Sequence, residues 1–447
     1  MQKKTFKRGV HPLHHQHGGK VPTRMLETRE FTADTVVISM AMNIGAPATP
    51  CVQKGDHVLM GQVIGTAGGF VSVPVHASVS GEVVAVEPIP YLGAAPVMAV
   101  TIKNDHTDTW CELKPLGDVE MVDPALIVPA IRDAGITGMG GASFPTHVKL
   151  TFREGAKCDY IVVNGAECET HLTADHRLML EDGKRIVDGL RAVMRATGVS
   201  KGIIGIEDNK PEAIEAMMLA AEGREGVSVQ PLKTKYPQGG EKQLIEAVTG
   251  RQVPSGKLPL DAGVVVLNVG TCAAIADAVI EGKPLISRIT TVTGCVNEPA
   301  NLKLRVGTLV EDIINECGGF SQEPGKIFFG GAMTGICIPN THVPMAKSTN
   351  GVVVFNEKES KSEEESPCIR CGRCVSACPI GLNPYQIKAA ADRGDYAAAN
   401  KQHVNDCMLC GSCSFACPAR RWLAPTFKLV KDKLAAEARA KAKGGAK

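Results

Sequence analysis

Valine and isoleucine alternate with polar residues from about residue 30 to 100, and glycines punctuate the runs: Val52, Gly55, Asp56, Val58, Gly61, Gln62, Val63 and Ile64, then Pro74, Val75, Ala77, Val79, Gly81 and Val83. Alternation with period two, broken by turn residues, predicts short strands that form a small β barrel or sandwich. From about 123 the pattern changes to α/β. A helical stretch over 123–134, strand-like apolar runs at 160–163, 202–206 and 264–269, a helix over 211–221 and an amphipathic helix opening at Glu241 make up this part. Further on, strand-like runs at 286–293 and near Ile327 and Val352 enclose a helix over 310–317. Residues 357–366, EKESKSEEES, are polar and acidic and read as a solvated linker. Beyond it, Asn383-Pro384 is a good helix start, and the Ala-rich sequence that follows is interrupted at Gly394. The expected fold class is multidomain, α/β and β, with units at 1–122, 123–284, 285–356 and 357–425 and a basic helical tail at 426–447.

Composition narrows the class. The chain has 447 residues, enough for several domains, with 44% hydrophobic and 21% charged residues, which excludes disordered, collagen-like and coiled-coil classes. Forty-nine basic residues against 47 acidic give a net charge of +2, no global reason to bind nucleic acid or anionic lipid. Locally the tail differs: Lys428, Lys431, Lys433, Arg439, Lys441, Lys443 and Lys447 face only Asp432 and Glu437. That surplus suits anionic headgroups or a partner, and equally suits a solvated helix. The start of the chain lacks the apolar core of a signal peptide and no stretch approaches ~18 apolar residues, so the expectation is a soluble or peripheral protein in a reducing compartment.

Sixteen cysteines stand out in this ordinary background, and eight fall into two blocks. The first is Cys368, Cys371, Cys374 and Cys378 followed by Pro379, the second Cys407, Cys410, Cys413 and Cys417 followed by Pro418; both read C-x2-C-x2-C-x3-C-P. Three thiolates so spaced wrap one 4Fe-4S cube while the fourth turns away to the partner cube. The expected ligand sets are crossed, Cys368, Cys371, Cys374 with Cys417, and Cys407, Cys410, Cys413 with Cys378. Structural zinc would use two C-x2-C pairs instead. The other eight, Cys51, Cys111, Cys158, Cys168, Cys272, Cys295, Cys317 and Cys337, share no spacing and read mostly as small buried residues, with Cys168 set apart by its neighbours. His11, His14, His15 and His17 form a short cluster without Cys or carboxylate partners, a weak metal signal.

The glycine-rich run Gly138, Gly140, Gly141, Ala142, Phe144, Pro145, Thr146 follows a helix, whereas a dinucleotide fingerprint follows a strand. Alone it fits either a phosphate contact or a turn. Downstream, Asn164, Glu167, Cys168 and Glu169 follow one strand, Gly239, Gly240 and Glu241 open a helix, and Asn268 and Thr271 close another strand. Such element ends present backbone N–H groups and short polar side chains to an anionic or amide-rich ligand.

The series G-x-G-G-x-x-F-P-T-x-x-K, N-x-x-E-x-E, G-G-E and N-x-x-T resembles the flavin-binding subunit of respiratory complex I, which carries FMN and takes hydride from NADH. With the opening Thr5-Phe6-Lys7-Arg8-Gly9-Val10-His11-Pro12 and the double cysteine block, residues 5 to 425 resemble the RnfC family, whose members are subunits of Rnf ion-translocating ferredoxin:NAD+ oxidoreductases. The barrel resembles biotinyl/lipoyl-type barrel-sandwich hybrids, although Val73-Pro74-Val75-His76-Ala77 stands where their Met-Lys hairpin would be. The resemblance implies an α/β FMN/NADH-binding domain, a β-grasp soluble-ligand-binding domain acting as a spacer, and an α-helical two-cluster ferredoxin domain. It implies that Gly138, Gly140, Gly141 and Ala142 cradle FMN or the dinucleotide, Phe144 stacks on adenine and Lys149 meets phosphate or ribose. Asn164, Glu167, Asn268 and Thr271 would hold the flavin, Glu169 and Glu241 would line the nicotinamide pocket, and Gly240 would be a further cofactor-binding position. Ala166 and Lys242 replace an Asp and a Glu of the complex I pattern. The implied activity is an NADH:acceptor oxidoreductase with two 4Fe-4S clusters, FMN and NAD(H), peripheral on the cytoplasmic face of the cell membrane. Its implied partners are the other subunits of a membrane-bound Rnf-type complex and, through one of them, ferredoxin; nucleic acid is not among them. The alternative is a soluble NADH-dependent reductase of similar layout serving another acceptor, such as a cobalamin or amino-acid reductase system.

Overall fold

The alternating Val/Ile runs fold as two small antiparallel sheets. Thr35–Ser39, Val97–Asn104, Gly81–Ile89 and His57–Val58 form one in that order, and Thr49–Pro50, Val63–Thr66 and Val75–His76 form the other. Val36 lies opposite Ile102 and Ile38 opposite Val100, so the period-two apolar residues share a face. They pack with Val58, Ile64, Val75, Val79 and Val83 into one core. The structure is a computed structural model that describes residues 2–93 and 95–444; Lys447 and the side chains of His14, His15 and Lys443 lie outside the described residues.

The α/β part is a four-stranded parallel sheet ordered Val227–Leu232, Gly202–Glu207, Tyr160–Gly165, Val264–Asn268. Helices cover both faces, which is why its strands are continuously apolar. Ile161, Val163, Val265 and Leu267 face helices Gly183–Thr197 and Val269–Ile280, while Val162, Val264 and Val266 face helix Glu241–Thr249. The two helices of the first face touch closely: a Cβ on Gly189 would lie 1.8 Å from the Cys272 carbonyl oxygen, so only glycine fits. Helix Pro124–Asp133 begins at an Asp123 cap. Val227–Leu232 is the strand that apolar runs do not disclose, because it is a sheet edge that tolerates Ser228, Gln230 and Pro231.

The third unit is a six-stranded sheet, Thr28–Phe31, Ala300–Arg305, Ser287–Gly294, Gly351–Asn356, Pro324–Phe329 and Ile336–Cys337, covered by helix Val310–Glu316. Its first strand comes from the N-terminal region, pairing parallel with Ala300–Arg305. Lys4 bridges to Leu232 and Val10 to Tyr236, and Val119 and Val122 join the α/β core. The segment 1–122 is therefore spread over three units in space, because open strand edges of later domains recruit it. Buried Lys347 fastens three of them, donating to the carbonyls of Gly135 at 2.7 Å and Pro74 at 3.2 Å.

The cysteine-bearing module is helical, with Pro384–Asp392, Tyr396–Lys401 and Leu423–Gly444 packed around Ile387, Ala399, Val404, Phe427 and Val430. The basic tail is thus the extension of a helix that starts in this core, and Lys431 donates to the Cys407 carbonyl at 2.6 Å. The acidic linker is exposed but tethered rather than merely solvated: Glu363 pairs with Arg420, and Glu365 with Arg421 and the Trp422 N–H. Of the eight unpatterned cysteines, Cys272, Cys295 and Cys317 are buried, Cys111, Cys158 and Cys168 half-buried, and Cys51 and Cys337 exposed. Among the described residues no helix is long and apolar enough to cross a membrane.

Candidate functional site

Asn164 and Asn268 end neighbouring strands and are register partners where the strand order of the parallel sheet reverses. Ligands of open α/β sheets bind outside the carboxyl ends of the strands at such a switch point. The glycine loop lies over it. Gly138 N–H donates to the Phe144 carbonyl at 2.9 Å, closing the loop, and Met139 N–H donates to Thr271 Oγ1 at 3.0 Å. Gly140 sits against Asn268, where a Cβ would meet the Asn268 Cβ at 3.0 Å. Gly140, Gly141 and Ala142 are exposed. The loop is braced from behind by the barrel, whose Ile44 N–H donates to the Ser143 carbonyl, and by Arg288, which donates to the Met139 carbonyl at 3.0 Å.

Asn268 caps helix Val269–Ile280 by accepting from Gly270 N–H at 2.8 Å, and its Nδ2 donates to buried Asp175 Oδ2 at 2.6 Å. Asp175 N–H donates to Glu167 Oε1 at 2.7 Å, and His176 N–H to Glu167 Oε2 at 3.3 Å, so Glu167 caps helix Ala174–Glu181 from a distance. Lys20 Nζ lies 3.9 Å from Glu167 Oε2 and donates to the carbonyls of Glu167 and Leu172. Burial pushes the Glu167 carboxyl up against the pull of Lys20, and burial likewise raises Asp175. Asn164 Nδ2 donates to the Gly239 carbonyl at 2.8 Å, and Gly239 N–H donates to Cys168 Sγ at 3.2 Å. Lys149 Nζ stands 3.2 Å from Glu241 Oε1 and donates to the Val266 carbonyl at 3.0 Å. The sequence-derived set is brought together with one exception. Glu169 turns to the 331–334 loop of the six-stranded unit, accepting from Met333 N–H at 3.2 Å and from Thr334 Oγ1, and so acts there as a clamp between units. Lys20, Asp175 and Arg288 were not legible from motifs, since each is a single charged residue far along the chain from its partner. A further cavity of about 290 Å3 opens beside this site over strands Gly202–Glu207 and Val227–Leu232, lined in part by Lys20, Cys168, His176, Lys210 and Tyr236.

The eight patterned cysteines line two other cavities. Cys368, Cys371, Cys374 and Cys417 border one, and Cys378, Cys407, Cys410 and Cys413 the other, so the fourth cysteine of each block does reach across. The two loops share a backbone: Arg370 and Leu409 have φ of 53° and 57°, Gly372 and Gly411 of 75° and 76°. Among the described residues no three His, Cys, Asp or Glu side chains converge for a single ion. Thiols spread around a cavity fit a four-iron cube instead.

The second cavity abuts the α/β unit. Tyr236 Oη donates to the Cys410 carbonyl at 2.7 Å, and Val10, Tyr236, Ala377 and Cys410 form a buried knot with Cys168, Met333 and Met408 around it. Ser255 Oγ and Gly256 N–H both donate to Asp406, at 2.5 and 3.2 Å.

Four family models match in chain order: an RnfC barrel sandwich hybrid domain at 4–107, a Nuo51 FMN-binding domain at 131–277, an SLBB domain at 289–336 and a 4Fe-4S dicluster domain at 364–421. The chain is 47% identical to the RnfC protein of the Na(+)-translocating ferredoxin:NAD(+) oxidoreductase complex of Acetobacterium woodii, over 97% of this chain and 98% of that one. This chain belongs to the RnfC family of ion-translocating ferredoxin:NAD+ oxidoreductase complexes. Other members of the family are the corresponding proteins of the proton-translocating complex of Clostridium ljungdahlii, 44% identical over 90% of this chain and 87% of that one, and of the ion-translocating oxidoreductase complex of Rhodobacter capsulatus, 41% identical over 97% and 84%. Within this RnfC fold, the flavin-domain match contains every candidate from Gly138 to Thr271, and the dicluster match all eight patterned cysteines. The barrel match contains Lys20 and the strand Thr28–Phe31, which serve the α/β unit and the six-stranded sheet.

Proposed function

We propose that this chain is the NAD(H)-facing, peripheral subunit of an ion-translocating ferredoxin:NAD+ oxidoreductase complex. It exchanges electrons between NAD(H), FMN and two 4Fe-4S clusters on the cytoplasmic face of the membrane. Ion movement and ferredoxin belong to partner subunits. When bound, FMN interconverts the hydride of a nicotinamide with single electrons, which 4Fe-4S cubes carry one at a time.

The residues fit these groups. Asn164, Asn268 and Thr271 hold the flavin end of the crevice, Thr271 by fixing the glycine loop at Met139 N–H. The exposed Gly140, Gly141 and Ala142 let backbone approach a phosphate closely, Phe144 offers a ring for adenine, and Lys149 supplies the cation. Glu241 and Gly240 border the nicotinamide side, and Lys149 holds the Glu241 carboxylate in place at 3.2 Å. Glu167 acts indirectly: it orients the Asp175 N–H, and the Asp175 carboxylate orients Asn268. No general base is needed, because the chain only positions and excludes water.

The observation that carries this reading is the Tyr236–Cys410 junction. It sets the Cys378, Cys407, Cys410, Cys413 cavity directly behind Gly239 and Cys168, which makes that set the inner cluster and Cys368, Cys371, Cys374, Cys417 the outer one. The test is purified protein with clusters assembled and FMN added. About eight irons per chain are expected, with NADH-dependent ferricyanide reduction; absence of that activity refutes the reading. Co-purification with hydrophobic subunits separates it from a soluble reductase.

A further inference from the structure

The cysteine module is an internal repeat with one end covered and the other bare. The matched φ values align Cys368-Ile369-Arg370-Cys371-Gly372-Arg373 with Cys407-Met408-Leu409-Cys410-Gly411-Ser412. In the second loop this surface is spent on the α/β unit. Met408 meets Gly240, where a Cβ would come within 2.6 Å of its methyl, and Tyr236 engages the Cys410 carbonyl, while Leu409 packs half-buried on the module's own core.

In the first loop the equivalent positions are open. Ile369 is 69% exposed, and Cys368, Arg370, Cys371 and Arg373 are exposed with it. Neither the Arg370 nor the Arg373 guanidinium has a hydrogen bond or ion pair with any described residue. The cations around them are occupied: Arg420 by Glu363, Arg421 by Asp392, Lys388 by Asp392 and Glu365. What remains is an apolar tip, Ile369, with two unpaired guanidiniums on the same loop, Ile369 and Arg370 bordering the Cys368, Cys371, Cys374, Cys417 cavity.

Resting on the reading above, we propose that the loop 368–373 is the docking face for the next one-electron carrier, a protein that presents an acidic rim around its own redox centre. The repeat argues for a protein in this position, since the same loop surface at the other end already docks a redox domain through the residue equivalent to Ile369. Charge selects the kind of protein, because opposed potentials steer encounter and like charges repel. The exchange makes and breaks no bond: one centre is oxidised by one electron as the other is reduced by one, in either direction.

The experiment uses membranes carrying the rest of the complex but lacking this subunit, to which FMN- and cluster-loaded protein is added back. Retention on the membranes, NADH-driven reduction of membrane centres and NADH-dependent ferricyanide reduction are measured. For R370E/R373E, retention and membrane reduction fall about tenfold or more at low salt, while ferricyanide rate, flavin and iron per chain stay at wild-type values. R370K/R373K restores most of the loss, and wild-type retention weakens as salt rises because exposed charges are screened. I369S weakens retention without changing its salt dependence. Wild-type retention by R370E/R373E overturns the proposal, as does an equal loss from phosphatidylglycerol vesicles, which would mean a lipid face, or loss of a self-dimer, which would mean a second copy. If charge reversal lowers the iron content, R370Q/R373Q is read by the same criteria. Should wild-type protein fail to oxidise NADH, the NAD(H) reading falls while the retention series still judges this face.

Discussion

Replacing Asn268 with alanine removes two buried hydrogen bonds from one side chain, the helix cap to Gly270 N–H at 2.8 Å and the bond to Asp175 Oδ2 at 2.6 Å. Losing the cap costs about 1 kcal/mol. Leaving the buried Asp175 carboxylate without that donor costs about 1–3 kcal/mol more. The sum, about 2–4 kcal/mol, lowers the melting temperature of a domain this size by roughly 2–4 °C per kcal/mol, so about 4–16 °C. Calorimetry on flavin-free protein reads this without a contribution from ligand loss. Asn268→Asp sharpens the test, because it keeps the cap but sets a second carboxylate against Asp175, whose pKa burial already raises. Two such carboxylates hold one proton between them, which is easier as pH falls. Asn268→Asp should therefore be the less stable variant at pH 8 and recover past Asn268→Ala near pH 5.5. A drop below ~0.5 kcal/mol for alanine, or an Asp variant that tracks wild type across this range, would refute the reasoning.

Gly140→Ala sets its new methyl 3.0 Å from Asn268 Cβ and 3.1 Å from Nδ2, so Asn268 or the loop must give way slightly, and FMN binding by fluorescence titration should weaken by about fivefold or more, as overpacking of roughly 1 kcal/mol implies. Tyr236→Phe leaves the Cys410 carbonyl without its donor; redox titration by electron paramagnetic resonance should show a shifted inner-cluster potential with flavin content and outer-cluster signal unchanged. Cys371→Ser should lose the outer-cluster signal and keep FMN, and loss of FMN would contradict the separation of the two sites. Burial alone lowers Lys347 from 10.5 to about 7, so between those values the unfolded chain binds more protons than the folded one. Stability carried by this residue thus rises with pH from 7 toward 10.5, and Lys347→Met should flatten the rise in melting temperature between pH 7 and 9.

Much of this protein is local in origin. The alternation of 52–83 needs only neighbouring strands to become a sheet, and the C-x2-C-x2-C-x3-C-P spacing wraps three thiols on one loop and sends the fourth onward. The central strands Tyr160–Gly165 and Val264–Asn268 are apolar because both faces are covered, and that leaves a run any reader can find. Asn164 and Asn268 were recognisable for the same reason, as polar residues at the ends of such runs, and the glycine loop by its composition. Edge strand Val227–Leu232 was hidden because one side of an edge makes no demand on sequence, and Thr28–Phe31 because its partner lies far along the chain.

The sequence by itself determined the succession of β and α/β patterns, the two cysteine quartets and the residues gathered at the switch point, because these depend on periodicity and spacing over a few tens of residues. Only the tertiary structure decided that Lys20 reaches Glu167, that Glu169 clamps the 331–334 loop, and that Met408 is covered while Ile369 is not. Those outcomes are contacts between segments more than a hundred residues apart or between units, and their energy comes from burial and from pairing lone charges. Neither leaves a periodic mark on the chain that carries it.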